Sequence, residues 1–197
     1  MGKVVIVTDT TCDLSLELME ENNIKYLPLV VDIGGKVYKD KLEIDNKTFF
    51  EIIKDKSVFP KTSQVAPFSF EEVFKDELDK GNEIVCITLS ALLSGTNSSA
   101  NIAKDNLNSD KIHIIDSKTV TLGEGYLVIE AAKMASEGKT ASEIIEHIEN
   151  LIAKQDCIIA FDTMEMLKRG GRISPAKAAI GGILGIKPMI TIAEGAL

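Results

Sequence analysis

The chain has 197 residues, 45% apolar and 26% charged, with a formal net charge of −8. That is room for one large domain, or one domain and part of another, in an ordinary globular composition. The acidic balance argues against nucleic acid, where a basic face supplies most of the affinity, and also against an anionic membrane surface.

Val4–Thr8 opens the chain as an apolar, β-branched run, and Lys3–Thr8 reads as the first strand. MGKVVIVTD is too short an apolar run for a signal peptide, and no segment approaches the ~20 apolar residues of a membrane span, so the cytoplasm is the expected location. Leu14–Asn22 reads as a helix after Asp13, and Lys25–Ile33 as the second strand. Gly34-Gly35 signals a hairpin turn with a return strand near Tyr38. Asn46–Lys54 is a helix with Asp45 as its N-cap. Pro60–Gln64 reads as a loop before a helix, Ser69–Lys80, that opens with a Ser69/Glu72 capping box.

Glu83–Leu89 is a strand followed by a hydroxyl-rich stretch, Ser90 to Ser99, which holds Ser94, Gly95 and Thr96 and starts a helix running through Asn106. Lys111–Ile115 is a further strand, and Lys118–Glu137 and Ala141–Lys154 are the longest helices. Continuous apolar strands alternating with helices predict an α/β fold, a mainly parallel sheet flanked by helices, over residues 1–156. From Cys157 the pattern changes. Cys157–Phe161 and Lys187–Ile192 read as strands, with a basic turn (168–172) and an apolar, small-residue helix between them. EGAL then ends the chain as a turn with no partner strand. Residues 157–197 are therefore expected to begin a second, incomplete α+β domain.

Several chemistries find no support. Gly138-Lys139-Thr140 lacks the earlier glycine of a P-loop and is accounted for by a helix stop at Gly138 and a Thr140/Glu143 capping box. The two histidines, His113 and His147, lie in a strand and in mid-helix, away from any nucleophile. Cys12, Cys86 and Cys157 are scattered and predict neither a disulfide nor a metal site. What remains is the set of loops at the carboxyl ends of the strands, where open parallel sheets collect ligands. Asp9 and Asp116 read there as turn or cap residues. The 90–99 loop holds more hydroxyls than one helix cap requires. A helix start, a glycine that admits close approach and neutral hydroxyl donors together suit a phosphate or carboxylate. Lys168-Arg169-Gly170-Gly171-Arg172 is a second candidate for anion or partner contact.

Six stretches, VTDTTCDL (7–14), KTSQVAPFSF (61–70), LSALLSGTNSSA (89–100), IIDSKTVTLGEG (114–125), LKRGGRIS (167–174) and LGIKPMITIAEG (184–195), occur in an order that resembles the DegV family of bacterial lipid-binding proteins. The resemblance implies a protein that binds a long-chain fatty acid, its carboxylate held by hydroxyls of the two loops. Carried over, Thr62 and Ser94 are the principal head-group residues. Ser63, Gly95 and Thr96 are neighbours acting through backbone N–H groups, and Arg172 resembles a basic position near the carboxylate and the partner-facing surface. It further implies no catalytic residue, no metal and no cofactor besides the fatty acid, and a separate ATP-dependent fatty acid kinase subunit as partner in phospholipid synthesis. The chain departs from the family pattern at Ser63-Gln64-Val65-Ala66-Pro67, where SQPSP is usual, and at Ser90-Ala91, where two serines are usual. Family members are longer, and a histidine of their carboxylate network falls beyond Leu197. The alternative reading is an acyl hydrolase or phosphotransferase using Ser94 or Asp9.

Overall fold

The computed structural model describes residues 2–174 and 187–197. Its centre is a four-stranded parallel sheet of β1 (Val4–Asp9), β2 (Lys25–Leu27), β6 (Glu83–Thr88) and β7 (Ile112–Asp116), in the spatial order β2-β1-β6-β7. Helices cover both faces. Val5, Val7, Ile84, Cys86 and Ile112 pack with Phe70 and Phe74 of α3 (Pro67–Asp79) and Ala100 and Ala103 of α4 (Thr96–Leu107). The alternate residues Ile6, Val85, Ile87 and Ile115 pack against Leu127, Val128 and Ala131 of α5 (Leu122–Ser136) and Ile144 and Ile148 of α6 (Ala141–Ile152). This is why β1 and β6 read as unbroken apolar runs. Each side chain reaches a core, whichever face it points to.

The ends of several elements follow local chemistry. Ser15 caps α1 (Leu16–Glu21) and Asp45 caps α2 (Asn46–Ile52), each accepting a backbone N–H. Thr140 and Glu143 form the expected capping box of α6, with Gly138 in the left-handed region just before it. The expected Ser69/Glu72 box is not used. Helix α3 begins two residues earlier at Pro67, whose fixed φ and missing N–H suit the first helical position, behind Ala66. Helix α5 starts only at Leu122, after a loop in which Lys118 and Thr121 take positive φ.

The expected strand Lys25–Ile33 is two strands in two sheets. Pro28 offers no N–H to a ladder, and the Leu29 N–H turns aside to the Thr10 hydroxyl (3.2 Å). Beyond the break, β3 (Val30–Ile33) pairs antiparallel with β4 (Lys36–Lys39) across the Gly34-Gly35 turn, as expected, and also with β5 (Lys61–Ser63), a stretch whose sequence pattern predicts loop. Near the C-terminus, β8 (Cys157–Ala160) and β9 (Met189–Ile192) form a separate antiparallel ribbon. The EGAL turn is not left open: Ala193 and Ala196 exchange backbone hydrogen bonds of 2.9 and 3.0 Å. The small-residue helix expected between these strands falls largely outside the described residues. Cys157 is only half-buried, unlike the buried Cys12 and Cys86.

Phe74 is fully buried between α3 and the sheet, 5.6 Å from the Phe70 ring centre. Truncating Phe74→Ala should destabilise the fold by about 3–5 kcal/mol, read as a lower urea midpoint with an unchanged denaturant slope. A loss under 1 kcal/mol would mean that this face of the sheet does not close as described.

Candidate anion site at the start of helix α4

The carboxyl ends of β1, β6 and β7 lie side by side, and hydrogen bonds between their loops lock them together. The Asp9 carboxylate accepts the Leu89 N–H (3.0 Å) and the Thr11 N–H (3.0 Å). Asp116 accepts the N–H groups of Ala91 (3.1 Å) and Lys118 (3.0 Å). The Ser90 N–H donates to the Thr119 carbonyl (2.8 Å) and the Ser117 N–H to the Thr88 carbonyl (3.1 Å). Both aspartates thus serve as caps, and the segment from Leu89 to Ser94 is held at its base. Ser90 is buried and donates to the Gly195 carbonyl (2.6 Å), so its hydroxyl fastens the C-terminal turn.

Helix α4 starts from this held segment. Gly95 is its N-cap and contributes no side-chain bond. Ser94 takes that role: its Oγ accepts the Thr96 N–H (3.3 Å) and lies 3.0 Å from Thr96 Oγ1. Thr96 is buried, and its Oγ1 also accepts the Val65 N–H (3.4 Å). One residue earlier, the Gln64 amide donates to Ser99 Oγ (2.8 Å). These two contacts bring the end of β5, with the exposed Thr62 and Ser63, to the first turns of α4.

The basic turn closes the arrangement from a third side. Helix α7 (Glu165–Arg169) ends at Gly170, and Gly171 reverses the chain with φ +73°. The Arg172 guanidinium donates from Nε to the Leu93 carbonyl (3.2 Å) and from Nη1 to the Gly170 carbonyl. Among the described residues, no carboxylate pairs with Arg172. Arg169 lies over the Phe59 ring at 4.1 Å, two residues before β5. The 168–172 turn therefore touches both the 59–65 and the 89–96 segments.

All six candidate residues, Thr62, Ser63, Ser94, Gly95, Thr96 and Arg172, belong to these three converging segments. The connecting residues Gln64, Ser99 and Leu93 were not singled out from sequence. Gln64 sits within the very loop that was, and its partner Ser99 within the hydroxyl-rich stretch. Chemically the locality offers hydroxyls, a helix start with amides that lack intrahelical acceptors, and an arginine held by carbonyls. That set can hold an anion. Ser94 Oγ is engaged with Thr96, and Asp9 is fully buried, with burial raising its pKa against the bonds from Thr11 and Leu89. The histidines pair elsewhere, His113 with Glu83 at 2.8 Å and His147 with Glu130 at 4.0 Å. No His/Cys/Asp/Glu group among the described residues could hold a metal. A cavity of about 710 Å³ lies between β7, the end of α6 and β9, but none of the six candidates lines it.

The family model described as "Uncharacterised protein, DegV family" matches residues 3–197. The chain belongs to the DegV family. A DegV domain-containing protein of Clostridium acetobutylicum is 40% identical over 195 residues, covering 99% of this chain and 70% of that protein. One from Caldanaerobacter subterraneus is 39% identical over 197 residues, again 70% of its length. Among solved structures, a DegV family protein from Thermus thermophilus, described for its fatty acid binding, superposes with a TM-score of 0.89 at 31% identity, over 98% of this chain and 69% of that one. A stearic acid-binding protein from Eubacterium ventriosum superposes with a TM-score of 0.87 at 31% identity, over 100% and 68%. The DegV fold accounts for the parallel sheet with helices on both faces described above. Among the described residues, no helix is long and apolar enough to cross a membrane.

Gly95 is set by the DegV chain's own packing. A Cβ there would stand 1.9 Å from Gln64 Oε1. Gly95→Ala should therefore displace Gln64, break its bond to Ser99 and cost about 1 kcal/mol in chemical unfolding. In a Gln64→Ala background the same substitution should be close to neutral. An equal cost in both backgrounds would refute the Gln64 contact as the reason for glycine.

Proposed function

We propose that this chain binds a long-chain fatty acid whose carboxylate sits at the start of α4. Thr62 and Ser94 supply hydroxyls to it, Ser63, Gly95 and Thr96 supply neighbouring groups, chiefly backbone N–H, and Arg172 supplies the cation. The observation that carries this reading is the convergence of the β5 end, the α4 start and the 168–172 turn, in a chain akin to the fatty-acid-binding and stearic acid-binding proteins named above.

The energetics divide the labour. Burying a tail of ~14 methylenes at ~0.8 kcal/mol each offers roughly 11 kcal/mol before the costs of association. Affinity then comes mainly from the tail, and the polar groups fix where the carboxylate lies. The hydroxyls hold the head-group without burying a charge of their own beside it, and the exposed Arg172 supplies its cation from the rim. A head-group held in that way stays open to a second protein. We propose that this chain performs no turnover itself. It presents the fatty acid to a separate ATP-using kinase subunit, which makes the acyl phosphate for phospholipid synthesis. The exposed Arg172 belongs to the face presented. Residues 1–156 form the α/β domain in this account, and residues 157–197 open a second α+β domain.

Ser94→Ala should weaken stearate binding roughly 10- to 100-fold, the worth of a hydrogen bond to a charged group, while lowering the thermal midpoint by only about 2–4 °C, the worth of its cap on α4. Calorimetric titration of both proteins with stearate measures this. Unchanged affinity would remove Ser94 from the head-group site. Arg172→Glu should weaken stearate binding too. Full stearate binding with loss of a kinase complex would instead make Arg172 a docking residue.

A further inference from the structure

Glu124 is the third residue of α5 and has no solvent exposure, directly below the end of β1. Its Oε1 accepts the Thr8 hydroxyl (3.2 Å), and its Oε2 lies 2.9 Å from Thr11 Oγ1. The same Thr11 Oγ1 lies 2.5 Å from Asp9 Oδ1. One hydroxyl therefore sits between two buried carboxyl groups. A hydroxyl has one proton and cannot donate to both. Two ionised carboxylates here would leave one pair of oxygens facing each other without a hydrogen. A proton on one carboxyl completes the chain.

The surroundings decide which carboxyl carries it. Asp9 receives two backbone amides, Thr11 and Leu89, besides the Thr11 hydroxyl. Glu124 receives hydroxyls only. Amide donors favour the charged form, so Asp9 is the anion and Glu124 the acid. Burial and then the Asp9 charge push the Glu124 carboxyl well above the usual range, and Asp13 adds in the same direction.

We propose that Glu124 is a proton-bearing positioning residue for the anion site: its carboxyl proton, relayed as a hydrogen bond through Thr11 Oγ1, keeps Asp9 aimed at the Leu89 N–H and so sets the base of the 89–96 loop. This rests on the head-group reading above and adds to it a dependence on pH. The titratable groups around the chain are few. From β1 and the turn after it come Asp9, Cys12 and Asp13, and Cys86 comes from β6. Burial raises both thiols, that of Cys12 to about 12, so neither competes for the proton. Asp40 adds a like charge near Asp9, and Lys41 stands 3.9 Å from Asp13. From α6, His147 reaches Glu130, six residues further along α5.

The sign is fixed by linkage. The folded state keeps the Glu124 proton to higher pH than an unfolded glutamate does. Glu124 therefore contributes stability and loop order that are fully present below the ordinary glutamate range and are lost as pH rises from that range through its raised folded value. Glutamine reproduces the neutral acid, its amide donating to Thr11 Oγ1 and its carbonyl accepting from Thr8.

The test compares the wild type with Glu124→Gln between pH 5 and 9, by thermal unfolding, by the Leu89 amide signal in a ¹H–¹⁵N spectrum and by stearate release. The wild type should lose at least about 3 °C of midpoint relative to Glu124→Gln across that range. Its Leu89 amide should titrate while the variant's stays fixed, and its stearate release should rise more steeply. Thr11→Val, which breaks the relay, should abolish the wild-type titration of Leu89. Parallel profiles in the two proteins, or a Glu124→Gln protein less stable at every pH, would overturn the proposal. If neither protein takes up stearate while the unfolding and Leu89 profiles diverge as expected, the proton chain stands and the fatty-acid reading falls.

Discussion

The Asp9 carboxylate is the interaction on which the carboxyl edge of the sheet depends. It ends β1, caps the turn that follows through the Thr11 amide, and reaches across to hold the Leu89 amide at the end of β6. A carboxyl group is buried at this depth only when its acceptors are used, and here backbone donors just beyond the ends of two strands use them. The consequence is geometric. The chain leaves β6 in one direction only, and the start of α4 lies where that direction places it. Asp116 does the same for the neighbouring loop through Ala91 and Lys118.

From that edge the division between core and site follows. Alternate residues of β1 and β6 feed two separate apolar layers, so the strands have no polar positions to spare until they end. Polar chemistry is concentrated where the ladder stops. The amides of the first turn of α4, the hydroxyls of Ser94 and Thr96 and the far end of β5 then share one locality, joined by Gln64 and Val65. Arg172 enters from outside the sheet, fixed by the Leu93 and Gly170 carbonyls, not by a carboxylate. In a chain with net charge −8, a guanidinium with no carboxylate partner among the described residues, beside a helix start, is a local reversal of the overall field.

The parts of this structure legible in the sequence are those where one local rule acts alone. Unbroken apolar runs gave away the doubly covered strands, Thr140 with Glu143 the start of α6, and Gly34-Gly35 the hairpin. Strand Lys61–Ser63 was not legible: three polar, exposed residues have no strand pattern, and only β3 across from them makes the ladder. The break at Pro28 was open to reading, since proline cannot donate inside a sheet, but the length of the apolar run on either side concealed it. At Ser69 the capping-box pattern competed with Pro67 two residues earlier, and the proline set the helix start. The candidate site was legible as two loops and a basic turn. The Gln64–Ser99 and Arg172–Leu93 contacts that bring them together join positions 35 and 79 residues apart, and no spacing rule reaches that far. Glu124 hid for a similar reason: in sequence it is an ordinary acidic residue in the first turn of a helix.

The central claim, that this chain carries a long-chain fatty acid, is tested most directly by mass spectrometry of the purified protein, first under native conditions and then denatured. The account predicts a mass increment in the native spectrum that is released on denaturation as one equivalent of a long-chain fatty acid. A native mass equal to that of the bare chain, unchanged after incubation with stearate, would contradict it.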